Sequence, residues 1–252
     1  MYKKKHLMNF DKEQKISTLI HNNYRLIPII SRFGINFGFG DKTIAQICDE
    51  NNINPFFFLE IIKMFYKEHY MPNKSVMKIF IPETIDYLLK SHKYYNEIKI
   101  PLIEQLITSL FWTETKNNVN RNILKKFFNE YKKEVIEHTA NEEENIYPYI
   151  IEIHAQNKNN NENLNLINKI KSQSITNYAD KHESLNSALL DLKNIIIKYL
   201  PPAINNQTAE QIVEEIFKLE KDMDDHTKIE DTILVPIIKE MEQDILNQNN
   251  IN

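Results

Sequence analysis

One pattern occurs twice in the sequence and constrains the fold more than any other feature. His138 is followed by Glu142 and Pro148, and the same spacing of four and then six residues recurs at His226, Glu230 and Pro236. An α-helix turns by about 100° per residue, so side chains four positions apart lie on the same face, one turn from each other. The pattern therefore predicts two helices that each aim an imidazole and a carboxylate at one metal site.

Two further histidines extend this prediction to four helices. The intervals along the chain are 46, 44 and 44 residues for the series His92, His138, His182 and His226. Antiparallel helices with short connections return the chain to the same level at regular intervals. We therefore predict that all four histidines lie in one layer.

The choice of carboxylates follows from the same geometry. Glu142 begins a run of three glutamates, but only Glu142 lies four positions after His138. Glu143 lies about 140° around the helix from His138, so we expect it to face the solvent. At the second motif, Glu230 is favoured over Asp231 for the same reason.

The chain reads as all-α, because the strand-like alternation of apolar and polar residues is nearly absent. Residues 80–247 are predicted to form an antiparallel four-helix bundle. Capping boxes are predicted at Thr43–Gln46 and Thr208–Gln211. The long helices of the bundle are expected at about 83–112, 120–155, 164–199 and 207–246.

Residues 1–75 are predicted to form a separate small helical domain, with helices at about 11–32, 43–51 and 55–69. All three glycines of the chain fall in the loop from Gly34 to Gly40. Glycine readily adopts positive φ, so we interpret this loop as the turn that ends a helix. A phosphate-binding loop is the alternative, although the spacing is not GxGxxG and no strand precedes it.

Composition narrows the class of partner. The chain has 31 basic and 35 acidic residues, without the basic excess typical of nucleic-acid-binding proteins. No apolar run approaches the roughly 20 residues that span a bilayer, so we expect no membrane partner. The single cysteine, Cys48, cannot form an internal disulfide and is expected to be a buried thiol, which together with the lack of a signal peptide predicts a cytoplasmic protein.

Four imidazoles and two carboxylates suit iron, manganese or zinc, and the ligand types alone do not choose among them. A carboxylate on each of two facing helices can bridge two ions and leave positions open for a small ligand. A structural dizinc site is the alternative, although structural zinc sites are usually closed tetrahedra rich in cysteine.

With these residues in view, the chain resembles the repair-of-iron-centres (RIC) di-iron proteins, which are hemerythrin-like bacterial proteins of nitrosative and oxidative stress. The segments that carry the resemblance are Ser91–Pro101, His138–Pro148, Asp180–Glu183 and Asp225–Pro236. The resemblance implies two non-haem iron ions, oxo- or hydroxo-bridged, in a hemerythrin-like bundle. The terminal ligands would be His92, His138, His182 and His226, and the bridges Glu142 and Glu230. The nearby tyrosines are candidate hydrogen-bond donors to the ligands, but packing is the expected role of each; they are Tyr94, Tyr95, Tyr147 and Tyr178.

The implied function is to bind or reduce nitric oxide, or to handle oxygen or peroxide, and to supply iron to damaged iron-sulfur proteins. The alternative is a sensor of oxygen, nitric oxide or iron that does not turn over. The family's N-terminal loop has adjacent cysteines, whereas the corresponding run here, from Asn36 to Asp41, has none. A thiol step is therefore not expected. The aromatic residues Phe37 and Phe39 in this loop favour the sensor alternative, in which the small domain contacts a partner.

Overall fold

A computed structural model describes residues 10–67, 69–112, 117–158, 163–177 and 183–249, with the side chains of 117, 118, 158, 177, 183–186 and 249 left out. Over these residues the protein is all-α, as predicted, and has no β-strand. Within the same ranges, none of the helices combines the length and apolar character that crossing a membrane requires. The chain divides into two compact units, Met1–Glu83 and Thr84–Asn252.

The first unit consists of short helices around a core that includes the fully buried Ile16, Leu19 and Phe58. The predicted capping box of Thr43 and Gln46 is present. The predicted helix at 11–32 is wrong as one element, because Asn23 adopts an extended backbone and its Oδ1 accepts a hydrogen bond from the Arg25 N–H, 3.1 Å away. The helices of this unit are α1 Ile16–Asn22, α2 Leu26–Arg32, α3 Ile44–Glu50, α4 Pro55–Tyr66 and α5 Lys74–Met77, which a 3₁₀ turn at Lys78–Phe80 follows.

The glycine loop begins as the turn that ends α2. Gly34 has φ +81°, and its N–H donates to the carbonyl of Ser31. This left-handed conformation after a helix suits glycine, as the sequence predicts for the end of a helix. Farther along the loop the side chain of Phe37 is 71% exposed.

The second unit contains long helices, several of them interrupted by π turns. They are α6 Ile81–Tyr94, α7 Ile100–Thr108, α8 Asn117–Asn141, α9 Tyr147–Lys158, α10 Leu164–Ser172, α11 Glu183–Asn194, α12 Asn206–Ile229 and α13 Val235–Asn249. The π turns are Tyr95–Lys99, Glu142–Ile146, Ile195–Tyr199 and Glu230–Leu234. The core between the helices includes Phe128, Tyr131, Leu192, Ile216 and Leu219.

These four π turns share one sequence feature, a proline close behind the turn. Pro101, Pro148 and Pro236 lie inside continuing helices, whereas the helix before Pro201 ends at the extended Leu200. A proline follows the first residue of each turn by six positions, and these prolines are Pro101, Pro148, Pro201 and Pro236. Proline has no N–H to donate and its ring clashes with the carbonyl four residues earlier. The residue before each proline instead donates its N–H to the carbonyl five residues earlier, as Tyr147 does to Glu142 and Val235 to Glu230.

The long helices pack in a ring of contacts: α7 contacts α8 and α12, and α11 contacts the same two helices. Four contacts pair rising residue numbers in the π turn Tyr95–Lys99 and α7 with falling numbers on α8 and α12, so these neighbours are antiparallel. The pairs are Asn96 with Thr139, Glu104 with Lys132, Tyr95 with Asp222, and Lys99 with Glu215. The layer that holds the predicted ligands lies between these helices.

Two details of the second unit differ from the prediction. The helix expected at 164–199 is broken after Ser172, because the buried Glu242 of α13 accepts hydrogen bonds from the Ser174 hydroxyl and the Ile175 N–H. The capping box expected at Thr208 is also wrong, since α12 begins at Asn206. The side chain of Asn205 ties this helix start to the end of α7 instead, by accepting from the Phe111 N–H at 2.9 Å.

Candidate metal centre

The candidate ligands lie at matched positions, where α-helices meet π turns. His92 is in the last turn of α6, His138 in the last turn of α8 and His226 in the last turn of α12. Glu142 and Glu230 are each the first residue of the π turn that follows. Each histidine and glutamate of a repeated motif thus keeps the α-helical spacing of four, and the π turn begins at the glutamate.

Glu142 lies at the centre of the cluster and is fully buried. Its two carboxylate oxygens face different histidines: Oε1 is 2.8 Å from Nε2 of His138, and Oε2 is 3.0 Å from Nε2 of His92. Oε2 is also 4.0 Å from Nε2 of His226. One carboxylate therefore stands between imidazoles from three helices.

The imidazoles of His92 and His226 face each other through their Nε2 atoms, which are 3.2 Å apart. Both rings are buried, with 1% and 6% of their surface exposed. One ligand atom from each of His92, Glu142 and His226 lies within 4.8 Å of the others. Ring nitrogens so close together point at one small volume, as ligands of a shared cation do.

Glu230 joins the cluster from α12, again fully buried. Its Oε1 is 3.5 Å from Nε2 of His226 and accepts a hydrogen bond of 2.8 Å from the Tyr147 hydroxyl. The same hydroxyl is 3.3 Å from Nε2 of His92. Asp231, the competing carboxylate, is exposed.

The outer edge of the His92 ring contacts a second glutamate. Nδ1 of His92 donates to Oε1 of Glu143 at 2.9 Å, although 42% of the Glu143 side chain is exposed. Glu143 is exposed, as its position on the helix predicts, but its carboxylate also reaches the His92 ring, a contact that the sequence did not predict. The ring of His92 lies in the angle between two consecutive carboxylates and contacts both.

The charges around His92 favour a cation. Burial alone lowers the pKa of His92, but the hydrogen bonds and negative charges of Glu142, Glu143 and Glu230 outweigh burial and raise it. Buried carboxylates are costly unless a positive charge or hydrogen bonds compensate them. The imidazole and carboxylate donors suit a metal ion that prefers mixed nitrogen and oxygen ligands, so the residues present fit such an ion.

Of the six predicted ligands, the structure brings five together: His92, His138, Glu142, His226 and Glu230. His182 lies outside the described residues, as does Tyr178. That the five bind metal stays a prediction, but the short distances among their side chains are a property of the structure.

Sequence reasoning missed one residue of the site, Glu143. For Tyr147 it favoured packing over hydrogen bonding to the ligands, whereas the Tyr147 hydroxyl donates to Glu230. Tyr95 does pack, with its ring 5.8 Å from the ring of His226. The available signal for these contacts of Glu143 and Tyr147 was Pro148, because a proline inside a helix changes the hydrogen bonding of the preceding turn.

Comparison with known proteins shows a distant similarity to one curated protein. The sequence matches no family model. It is 19% identical over 207 residues to the iron-sulfur cluster repair protein ScdA of Staphylococcus haemolyticus. The alignment covers 82% of this chain and 89% of that protein, so the similarity extends over both compact units.

Proposed function

We propose that this protein is a non-haem di-iron protein of the nitrosative and oxidative stress response that takes part in the repair of iron-sulfur clusters. The proposed fold of the second unit is a hemerythrin-like four-helix bundle. The proposed ligands are His92, His138, His182, His226, Glu142 and Glu230. The name of the distant relative supports the repair role.

The observation that carries this proposal is the position of Glu142. A carboxylate whose two oxygens lie 2.8 Å and 3.0 Å from imidazoles of different helices has the arrangement needed to bridge two ions. Glu230 has the equivalent place in the second copy of the motif, 3.5 Å from Nε2 of His226, and is the proposed second bridge. Iron is favoured over structural zinc, because the donors are imidazoles and carboxylates and the only cysteine of the chain, Cys48, is in the other unit.

The proposed ligands would hold iron ions, and bound iron would supply electrons and a place for a diatomic ligand such as nitric oxide or oxygen, or for peroxide. The chain's own residues provide the environment. Buried carboxylates and imidazoles keep bulk water away, Tyr147 holds a hydroxyl hydrogen at Glu230, and Glu143 holds a hydrogen at the outer nitrogen of His92. In cluster repair, iron is the cargo that a damaged protein receives.

The metal content of protein purified without oxygen tests the site. We expect two irons per chain and, after oxidation, the near-ultraviolet absorption of an oxo-bridged diferric pair. Glu142→Ala and Glu230→Ala should each lose iron, whereas Glu144→Ala, which changes an exposed neighbour, should keep it. Zinc in place of iron, or a full iron content in both site variants, would contradict the proposal.

The repair role requires a separate assay. An iron-sulfur enzyme inactivated by nitric oxide should recover activity faster with the iron-loaded protein than with an equal amount of free ferrous iron. Glu142→Ala should give no recovery above that of free iron. Equal recovery with protein and with free iron would exclude the repair role but leave the metal site intact.

A sensor that does not turn over is the second candidate, and the exposed Phe37 favours it. This side chain lies beside Gly38 in a loop of positive φ, with its ring centroid 6.3 Å from that of Phe39. An exposed aromatic side chain suits contact with a partner. Anaerobic addition of nitric oxide with excess reductant distinguishes the two, because an enzyme consumes many equivalents per chain and a sensor binds a fixed number.

A further inference from the structure

We propose that Glu143 is a positioning residue for the metal site: it accepts the Nδ1 hydrogen of His92 and thereby directs the Nε2 lone pair of this ring toward the other ligands. The inference rests on the proposed metal site and assigns a role to a residue outside the six ligands. It concerns how one ligand is held rather than which residues bind.

The geometry places the His92 ring between two carboxylates. Oε2 of Glu142 is 3.0 Å from Nε2, and Oε1 of Glu143 is 2.9 Å from Nδ1. Consecutive residues of a helix point about 100° apart, so they reach the same ring only when that ring lies in the angle between them. The His92 ring lies there, with one nitrogen toward each carboxylate.

The chemistry of imidazole makes this contact directional. An ionised carboxylate only accepts hydrogen bonds, so Nδ1 must carry the hydrogen that Glu143 accepts. A neutral imidazole with hydrogen on Nδ1 has its lone pair on Nε2, which is the form that a metal ion requires at that nitrogen. Without Glu143, Glu142 would favour the opposite tautomer, with hydrogen on Nε2, and that hydrogen would block the metal.

His226 provides an internal contrast. Its Nε2 faces the same cluster, but its buried Nδ1 has no hydrogen-bond partner among the residues that the structure describes. Of these two rings, His92 alone has the positioning contact. A change at Glu143 should alter the ring signals of His92 and leave those of His226 in place.

The expected size of the effect follows from other metal sites. Losing a partner that hydrogen-bonds to a ligating histidine typically weakens metal affinity by about 10- to 100-fold. Glu143 is 42% exposed, so water screens its charge and competes for the hydrogen bond. We therefore expect a loss near the lower end, about 10-fold.

Zinc, which is diamagnetic, serves as the probe. The dissociation constant of zinc is measured by competition with a chelator for the unchanged protein, Glu143→Ala, Glu143→Gln and Glu144→Ala. Nitrogen-proton correlation spectra of the zinc-loaded proteins report the hydrogen on Nδ1 of His92. Thermal unfolding of the metal-free proteins shows whether each variant keeps the fold. Glu143→Ala and Glu144→Ala are a matched pair, because each removes one negative charge at an exposed position.

The expected result is weaker zinc binding in Glu143→Ala, with the Nδ1 hydrogen signal of His92 shifted or lost to exchange. Glu143→Gln should recover part of the affinity, because an amide oxygen still accepts the hydrogen. Glu144→Ala should behave as the unchanged protein does. Equal affinities and an unchanged His92 signal in Glu143→Ala overturn the positioning role alone. Failure of the unchanged protein to bind either zinc or iron overturns the proposed metal site, and the positioning role with it.

Discussion

The Tyr147 hydroxyl donates a 2.8 Å hydrogen bond to Oε1 of Glu230, a residue 83 positions later in the chain. Both side chains are buried, with 2% and 0% of their surface exposed. A carboxylate in this position needs a donor, because burial removes the water that would otherwise solvate it. The tyrosine thus links the orientation of Glu230 to the helix that carries Glu142.

Tyr147→Phe should remove this donor without changing the shape of the core. We expect the metal-free protein to lose about 1–3 kcal/mol of its free energy of unfolding, because Oε1 of Glu230 loses a buried hydrogen bond. We also expect metal affinity to fall about 10-fold, because a ligating carboxylate loses its orienting partner. Urea unfolding and chelator competition measure the two effects.

Tyr149→Phe is the matched control for this variant. The Tyr149 hydroxyl donates at 2.6 Å to Oε1 of Glu242, a buried glutamate that is not among the candidate ligands. The two tyrosines are two residues apart on α9. Each donates its hydroxyl hydrogen to a buried glutamate, Glu230 in the π turn after α12 for Tyr147 and Glu242 on α13 for Tyr149. Tyr149→Phe should lower stability similarly and leave metal affinity unchanged. Equal affinities in both variants would show that Tyr147 has no part in the site.

Pro148→Ala tests whether proline maintains the π turn that carries Glu142 and Glu143. Alanine restores an N–H that can bond to the carbonyl of Glu144, four residues earlier, and so favours an ordinary α-helical turn. We expect the affinity for metal to fall several-fold, on the order of 10-fold, as ligand orientation changes. Chelator competition measures the affinity, and amide hydrogen exchange over Glu142–Ile146 reports the turn.

Pro201→Ala is the corresponding control, since Pro201 follows a π turn, Ile195–Tyr199, that contains no candidate ligand. The same chemical change there should leave metal affinity unaltered. A loss of affinity in both proline variants would indicate a general effect on the fold rather than on the site. No loss in either would show that packing maintains the π turn at Glu142 without the proline.

Helical periodicity was enough to find the pairs of the repeated motif. His138 and Glu142 are one turn apart on α8 because the spacing of four is a local property of the α-helix, and the structure keeps it. The sequence also predicts that His92 and His226 lie at the same position along the helix axes. Antiparallel helices of similar length with short connections return the chain to that position at regular intervals. The 3.2 Å separation of their Nε2 atoms agrees with this prediction.

Contacts between residues far apart in sequence account for what was missed. The break after Ser172 depends on Glu242, whose carboxylate accepts from the Ser174 hydroxyl and the Ile175 N–H across 68 and 67 residues. No local pattern contains that partner. The contact of Glu143 with His92 likewise depends on where α6 lies beside the π turn. The rotation of about 140° between His138 and Glu143 describes their own helix only and says nothing about a neighbouring helix.

Cys48 should react slowly with thiol reagents in the folded protein. It is fully buried in α3, and burial raises its pKa to about 12. At pH 8 the thiolate fraction is then on the order of 10⁻⁴, and only the thiolate reacts. Labelling by a chromogenic disulfide should be slow until urea unfolds the chain. Rapid labelling without denaturant would show that α3 opens readily.

The Glu215 carboxylate of α12 should make stability depend on pH. Its Oε2 is 2.5 Å from Nζ of Lys99 and its Oε1 is 2.7 Å from Nζ of Lys218. Burial raises the pKa of Glu215, but the hydrogen bonds and charges of the two lysines outweigh burial and lower it below the usual 4.5. The folded state therefore favours the ionised form, so the stabilisation is complete above pH 4.5 and is lost as the pH falls through the lowered pKa.

Glu215→Gln should lower the free energy of unfolding at pH 7 by about 1–3 kcal/mol, because two lysines lose a charged partner in a partly buried setting. Glu214→Gln, a neighbour whose side chain is 70% exposed, should change it little. Urea unfolding at pH 7, 5, 4 and 3 measures both variants. The difference between Glu215→Gln and the unchanged protein should shrink in acid, since protonation removes the same charge from the unchanged protein that the substitution removes. A difference that stays constant down to pH 3 would mean that packing of the side chain, rather than its charge, stabilises the contact between the π turn at Lys99 and α12.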